Sequence, residues 1–250
     1  MTIYHLILMQ LMAHFVADFI LQSEAWCTKK EKCVFSKKHF FHFLIVTTVA
    51  YIFSFDWYFA ISALIIGLSH YAIDTLKSHY VKKYDDKNAL IFFIDQLLHI
   101  IILCLVSWIY LKYYVPNPAF NFQLSLQNTA IIAAFLFCSK PANVFIKKIF
   151  ELFKLNIPKV DPNKKDKDTE KAEKELENAG KVIGVMERFM TLALVLSGQY
   201  AAVGLIIAAK SILRFNNQQK NEYILVGTLL SFGFAILIGV LINHFKCIGF

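Results

Sequence analysis

Charge is what this chain has least of: 18% of its 250 residues are Asp, Glu, Lys or Arg, against 57% hydrophobic residues. Soluble domains carry about a quarter charged residues, so the balance points away from a water-soluble globule and into a membrane. Thiol chemistry is also missing. Cys27, Cys33, Cys104, Cys138 and Cys247 are odd in number and contain no Cys-x-x-Cys pair, which argues against a disulfide framework and against a thiolate metal site. The first apolar stretch lacks both a basic start and an Ala-x-Ala-like cleavage site, and it contains His14 and Asp18; it is expected to be retained as a membrane helix. The net charge of +8 is carried mainly by lysines between apolar segments. There they set orientation and meet anionic lipid, so nucleic acid is not an expected partner.

Apolar runs of spanning length fall near 3–21, 40–56, 58–76, 89–111, 127–148, 182–197, 199–215 and 223–243. The expected fold class is therefore all-α, a polytopic membrane helical bundle of about eight transmembrane helices. Within 182–215, Gly198 and Gln199 mark either a tight turn between two helices or a break in one. Lysine and arginine cluster after the first, third, fifth and seventh segments and are scarce in the alternate connections. Those basic loops are predicted to be cytoplasmic, which puts both termini on the outer side of the membrane. Four regions follow: a four-helix module over 1–115, a fifth helix with its outer loop over 116–150, a charged cytoplasmic linker over 151–181 that turns helical near Thr169, and membrane helices over 182–250.

Three of the apolar helices carry a histidine and an aspartate four positions apart: His14 with Asp18, His70 with Asp74, and Asp95 with His99 in reversed order. A four-residue step places both side chains on one helix face, and ionisable groups at membrane depth are candidate functional residues by default. The orientation read from lysines makes helices one and three descend toward the cytoplasm while helix four rises from it. Every aspartate then lies shallow and every histidine deep, in two layers about 6 Å apart. His42 is expected at the same level, with His39 one turn earlier and Gln22 extending the His14 and Asp18 face. Neutral imidazoles and carboxylates suit a divalent metal, zinc ahead of manganese or iron. The predicted ligands are His14, Asp18, His42, His70, Asp74, Asp95 and His99, enough for one ion or two.

The stretches HFVADFILQ, SHYAIDTLK and FFIDQLLH resemble a bacterial integral-membrane family known only as domain of unknown function 3307, and GKVIGVMERF, AAKSILRF and EYILVGTLLSF resemble the carboxyl-terminal part of its longer members. The resemblance implies that His14, Asp18, Gln22, His42, His70, Asp74, Lys77, Asp95, Gln96 and His99 occupy family motif positions, as do Glu187, Arg188, Lys210, Arg214 and Glu222. It implies that the first four helices are the core module, and it implies no established activity. Where many relatives have a second polar or histidine position four after the one matching His42, this chain has Val46. A more distant similarity is to membrane-bound metal-dependent hydrolases.

The resulting expectation is a membrane-embedded metal-dependent hydrolase acting at the cytoplasmic leaflet on an anionic substrate such as a phosphorylated lipid. Asp18, Asp74 and Asp95 would serve as ligands or general base, and Lys77, Arg188, Lys210 and Arg214 would hold the anion. Membrane lipid is then the expected partner. A proton or divalent-cation transporter using the same residues is one alternative. The other is a scaffold or regulator with a structural metal, whose charged linker binds a soluble cytoplasmic protein.

Overall fold

The computed structural model describes residues 2–23, 26, 37–83, 88–117, 124–155, 167–214 and 221–247, of which 83, 167–178, 213–214 and 221–224 are described by their backbone alone. All nine helices longer than a single turn or two among these residues are α-helical, and no strand occurs among them. They are α1 (Ile3–Phe15), α2 (Lys37–Ser54), α3 (Ala60–Lys83), α4 (Asn88–Tyr113), α5 (Leu126–Cys138), α6 (Lys140–Leu152), α7 (Lys167–Leu196), α8 (Tyr200–Arg214) and α9 (Asn221–Cys247). By length and hydropathy four helical segments among the described residues can cross a membrane, Ile3–Ile20, Trp57–Lys82, Asn88–Tyr113 and Leu225–Lys246, or up to five if the bent pair α5 and α6 forms one span. The chain is thus a helical protein with membrane-crossing elements.

Two compact units divide the chain, residues 1–133 and 134–250, so that the boundary falls within α5. In the first unit α1 packs on α2 and α4, and α3 packs on α2 and α4, which closes a four-helix ring. Leu6, Val46, Ala50, Ala63, Ile66 and Val106 fill its apolar layer. The α2–α3 approach is close because Gly67 has no Cβ: one added there would stand 2.0 Å from Thr47 Oγ1. Small residues at such crossings let membrane helices gain dispersion contacts where no hydrophobic effect drives them together.

Both ends of α1 and the α2–α3 turn have identifiable local causes. Thr2 Oγ1 accepts the His5 N–H and caps the first turn. Past Phe15 the helix widens into a π-helical stretch, Val16–Ile20, where the Leu21 N–H reaches back five residues to the Val16 carbonyl at 2.9 Å. At the α2–α3 turn Phe55 adopts φ 50°, a left-handed conformation costing an L-residue about 1 kcal/mol or more. Asp56 holds the turn, with Oδ1 accepting the Tyr58 N–H at 2.9 Å and Oδ2 accepting the Asn117 N–H at 3.1 Å.

In the second unit α9 packs on α7 and α6, and α7 also packs on α6 and α8. The apolar run 127–148 is one expected span, yet the structure resolves it into α5 and α6, bent by 50° at Ser139. Pro141 in the first turn of α6 explains the break, since it supplies no N–H to continue the α5 ladder. The run 182–215 is likewise two helices. Gly198, at φ 73°, ends α7 in a Schellman motif: its N–H meets the Val195 carbonyl at 3.0 Å, and the Gln199 N–H meets the Leu194 carbonyl at 2.8 Å. The linker becomes helical at Lys167, two residues before Thr169.

Candidate metal centre

Four helices deliver the seven candidate ligands to one buried cluster. α1 and its π-helical extension bring His14 and Asp18, α2 brings His42, α3 brings His70 and Asp74, and α4 brings Asp95 and His99. All are buried except Asp18, whose side chain keeps 9% of its surface. Three overlapping groups have their ligand atoms within 4.8 Å of one another: His14–Asp18–His70, His42–His70–Asp74 and Asp74–Asp95–His99. The imidazole rings of His70 and His99 approach to 3.7 Å between centroids, with His14 at 5.7 and 5.5 Å from them and His42 at 5.0 Å from His70.

The hydrogen bonds fix which nitrogen of the His14, His70 and His99 rings is free to bind a cation. His99 Nδ1 lies 2.7 Å from the Asp95 carbonyl oxygen; a carbonyl only accepts, so Nδ1 carries the proton and Nε2 holds a bare lone pair. That Nε2 is buried and has no hydrogen-bond partner among the described residues. The Gln96 amide is oriented by its Nε2–H donating to Asp95 Oδ2 at 3.1 Å, so its Oε1 accepts from His14 Nε2 at 3.2 Å. This leaves His14 Nδ1 as an acceptor facing Asp18 Oδ1 at 3.8 Å. His70 Nε2 lies 2.9 Å from Asp18 Oδ1, while its Nδ1 stands 3.7 Å from Asp74 Oδ2, too far for a hydrogen bond. His42 Nε2 lies 3.3 Å from Asp18 Oδ1 and 3.7 Å from Asp74 Oδ2.

These residues fit a divalent metal. Two ligands bonded to one tetrahedral zinc at 2.0–2.1 Å stand roughly 3.4 Å apart, within a few tenths of an ångström of the His14–Asp18 and His70–Asp74 separations of 3.8 and 3.7 Å. Asp95 Oδ1 is a further buried acceptor with no hydrogen-bond partner among the described residues. A histidine whose far nitrogen is held by a carboxylate or carbonyl while the near one is bare is the arrangement that orients metal-bound imidazoles. His70 on Asp18 and His99 on the Asp95 carbonyl both have it.

Beyond the histidines lies a cavity of ≈ 20 Å³, enough for about one water. The rings of His14, His70 and His99 border it together with Gln10 and apolar side chains such as Ile66 and Leu103, and no aspartate does. Histidines thus border the cavity while the carboxylates lie away from it. Gln10 Nε2 donates to the Ala50 carbonyl at 3.0 Å, and its Oε1 is buried with no hydrogen-bond partner among the described residues. Gln10 was legible as a polar residue four before His14 on the same face, but sequence reasoning did not single it out.

The four cations expected to hold an anion are placed otherwise. Lys77 Nζ lies 2.8 Å from Asp95 Oδ2, with the Phe92 ring 5.4 Å away. Arg188, in the second unit, is 1% exposed. Its Nε donates to the Cys138 carbonyl at 2.7 Å, Nη2 to the Ser139 carbonyl at 3.2 Å and Asn143 Oδ1 at 2.7 Å, and Nη1 to Ser231 Oγ at 3.0 Å. It clamps the break between α5 and α6, supplying donors to carbonyls that the bend releases. Lys210 forms an ion pair with Glu187. The Arg214 side chain lies outside the described residues.

A sequence profile of the family described as protein of unknown function (DUF3307) matches residues 6–130, a stretch that contains all seven candidate ligands and Lys77. No curated protein matches the chain, and no solved structure does.

Proposed function

The chain belongs to this family of unknown function, and we propose that its matched stretch is a membrane-embedded metal-binding module of four helices, in a chain of about eight transmembrane helices with both termini outside a bacterial cytoplasmic membrane. One observation carries the metal reading: seven imidazoles and carboxylates from four helices converge, with His99 Nε2 and Asp95 Oδ1 buried and without a hydrogen-bond partner among the described residues. A buried acceptor without a donor is costly, and a bound cation removes that cost. His14, His42, His70 and His99 with Asp74 and Asp95 are the proposed ligands, and Asp18 is the carboxylate that orients His70.

The proposed activity is hydrolysis at the cytoplasmic leaflet. A divalent ion in such a site, zinc ahead of manganese or iron, lowers the pKa of a bound water and polarises a phosphoryl or carbonyl oxygen. Asp18 Oδ1, between His70 and His42, is positioned to receive a proton from that side of the cluster. Because Lys77, Arg188 and Lys210 are each engaged within the protein, an anionic lipid substrate would be held chiefly by the metal rather than by these cations. Metal analysis of the purified parent, His70→Ala and Asp95→Ala proteins tests the reading. Bound metal in the parent that falls in both variants is expected; near-zero metal in all three would end it.

A second reading, transport of protons or a divalent cation, is favoured by the cavity beyond the histidines and by Ser107, whose buried Oγ has no hydrogen-bond partner among the described residues. Flux in reconstituted vesicles that disappears in Asp74→Asn would put it first.

A further inference from the structure

Helix α6 sorts its residues onto two faces. Lys140, Asn143, Lys147 and Glu151 recur at steps of three or four, and Ala142, Phe145, Ile149 and Leu152 do so on the opposite side. Ala142 and Phe150 are buried, and Phe150 meets α9 at Gly227, where an added Cβ would stand 3.4 Å from its Cζ. The end of the helix is different. Leu152, Phe153 and Leu155 are all exposed, Phe153 by 69%, and apolar side chains grouped on an exposed turn mark an interaction surface.

The charge around that turn is mostly of one sign. Residues 140–155 hold four lysines and one acid. Glu151 is already paired with Lys148, whose Nζ lies 2.6 Å from its Oε2, while the ammonium groups of Lys147 and Lys154 make no ion pair or hydrogen bond among the described residues. Lys154 stands at φ 52° in a Schellman turn. There the Leu155 N–H donates to the Phe150 carbonyl at 3.0 Å and the Lys154 N–H to the Glu151 carbonyl at 3.2 Å. Glycine is the residue that such a position favours, so the turn places a charged side chain where backbone preference alone calls for none.

We propose that the C-terminal turn of α6 is a docking site for anionic phospholipid, with Leu152, Phe153 and Leu155 seated among acyl chains and Lys147 and Lys154 on headgroup phosphates. Phospholipid is the occupant because the chain has helices able to cross a membrane, and because exposed apolar side chains beside uncompensated cations are what an anionic bilayer surface accepts. The site shares no residue with the histidine and aspartate cluster and does not rest on the metal reading.

The test uses the full chain with Phe153→Trp as reporter and Trp26, Trp57 and Trp108 changed to phenylalanine. It is placed in vesicles of equal parts phosphatidylcholine and phosphatidylglycerol, one or the other carrying brominated chains. Brominated phosphatidylglycerol is expected to quench the tryptophan more strongly, with about a fivefold preference for each lysine in contact. In the double variant Lys147→Gln, Lys154→Gln, which changes exposed side chains alone, the two lipids should quench equally. Equal quenching in the parent, or a preference that survives the double variant, would overturn the proposal. So would no quenching by either lipid, the outcome if water or another protein covers the turn.

Discussion

Replacing Arg188 by methionine removes the donors that hold the α5–α6 break together. Of the four acceptors it serves, Asn143 Oδ1 and Ser231 Oγ belong to side chains that can turn elsewhere, but the Cys138 and Ser139 carbonyls are fixed in the backbone. A buried group stripped of its partner costs about 1–3 kcal/mol, so two carbonyls set a loss of roughly 2–6 kcal/mol. Natural proteins hold only about 5–15 kcal/mol in total, so the second unit would open measurably. Cys138 reports on that opening, being fully buried and a free thiol. With the other four cysteines changed to alanine, the rate at which a thiol reagent labels Cys138 should rise at least about tenfold in Arg188→Met, since 1.4 kcal/mol corresponds to a factor of ten. Arg188→Lys, which retains charge but not the planar fork, should fall between. Labelling within twofold of the parent would refute the clamp and return Arg188 to the pool of anion-binding candidates.

Two glycine substitutions should separate strain from crowding. Gly198→Ala meets nothing within 4 Å but must hold φ 73°, so a loss of about 1 kcal/mol in thermal unfolding is expected; an unchanged midpoint would contradict the Schellman stop. Gly67→Ala places its Cβ 2.0 Å from Thr47 Oγ1, and overpacking of this kind costs about 1–3 kcal/mol. Adding Thr47→Ala should recover part of that, and strict additivity of the two changes would show that the α2–α3 contact is not where the cost arises. If the cluster holds a metal in the folded state alone, stripping it with a chelator should lower stability by about 2.7 kcal/mol relative to protein with free zinc at one hundred times its dissociation constant. An identical melting curve with and without chelator would speak against a bound ion.

Much of this architecture was legible in the amino-acid order because apolar run length and four-residue spacing are local properties. Each of the eight apolar segments falls largely on helix among the described residues, 127–148 on two helices rather than one, and His14, Asp18, His70, Asp74, Asp95 and His99 share faces for reasons visible within each helix. Pro141 was an available sign that 127–148 would break, outweighed in a reading by hydropathy alone. Tertiary structure decided what local order does not encode: the π-helical turn carrying Asp18, the bare nitrogen on the His14, His70 and His99 rings, and the partners of Lys77 and Arg188. Those depend on how far each helix is rotated and shifted against its neighbours, since long side chains choose among acceptors several ångströms away on other helices. The candidate ligand types were thus fixed residue by residue, and their meeting point by packing.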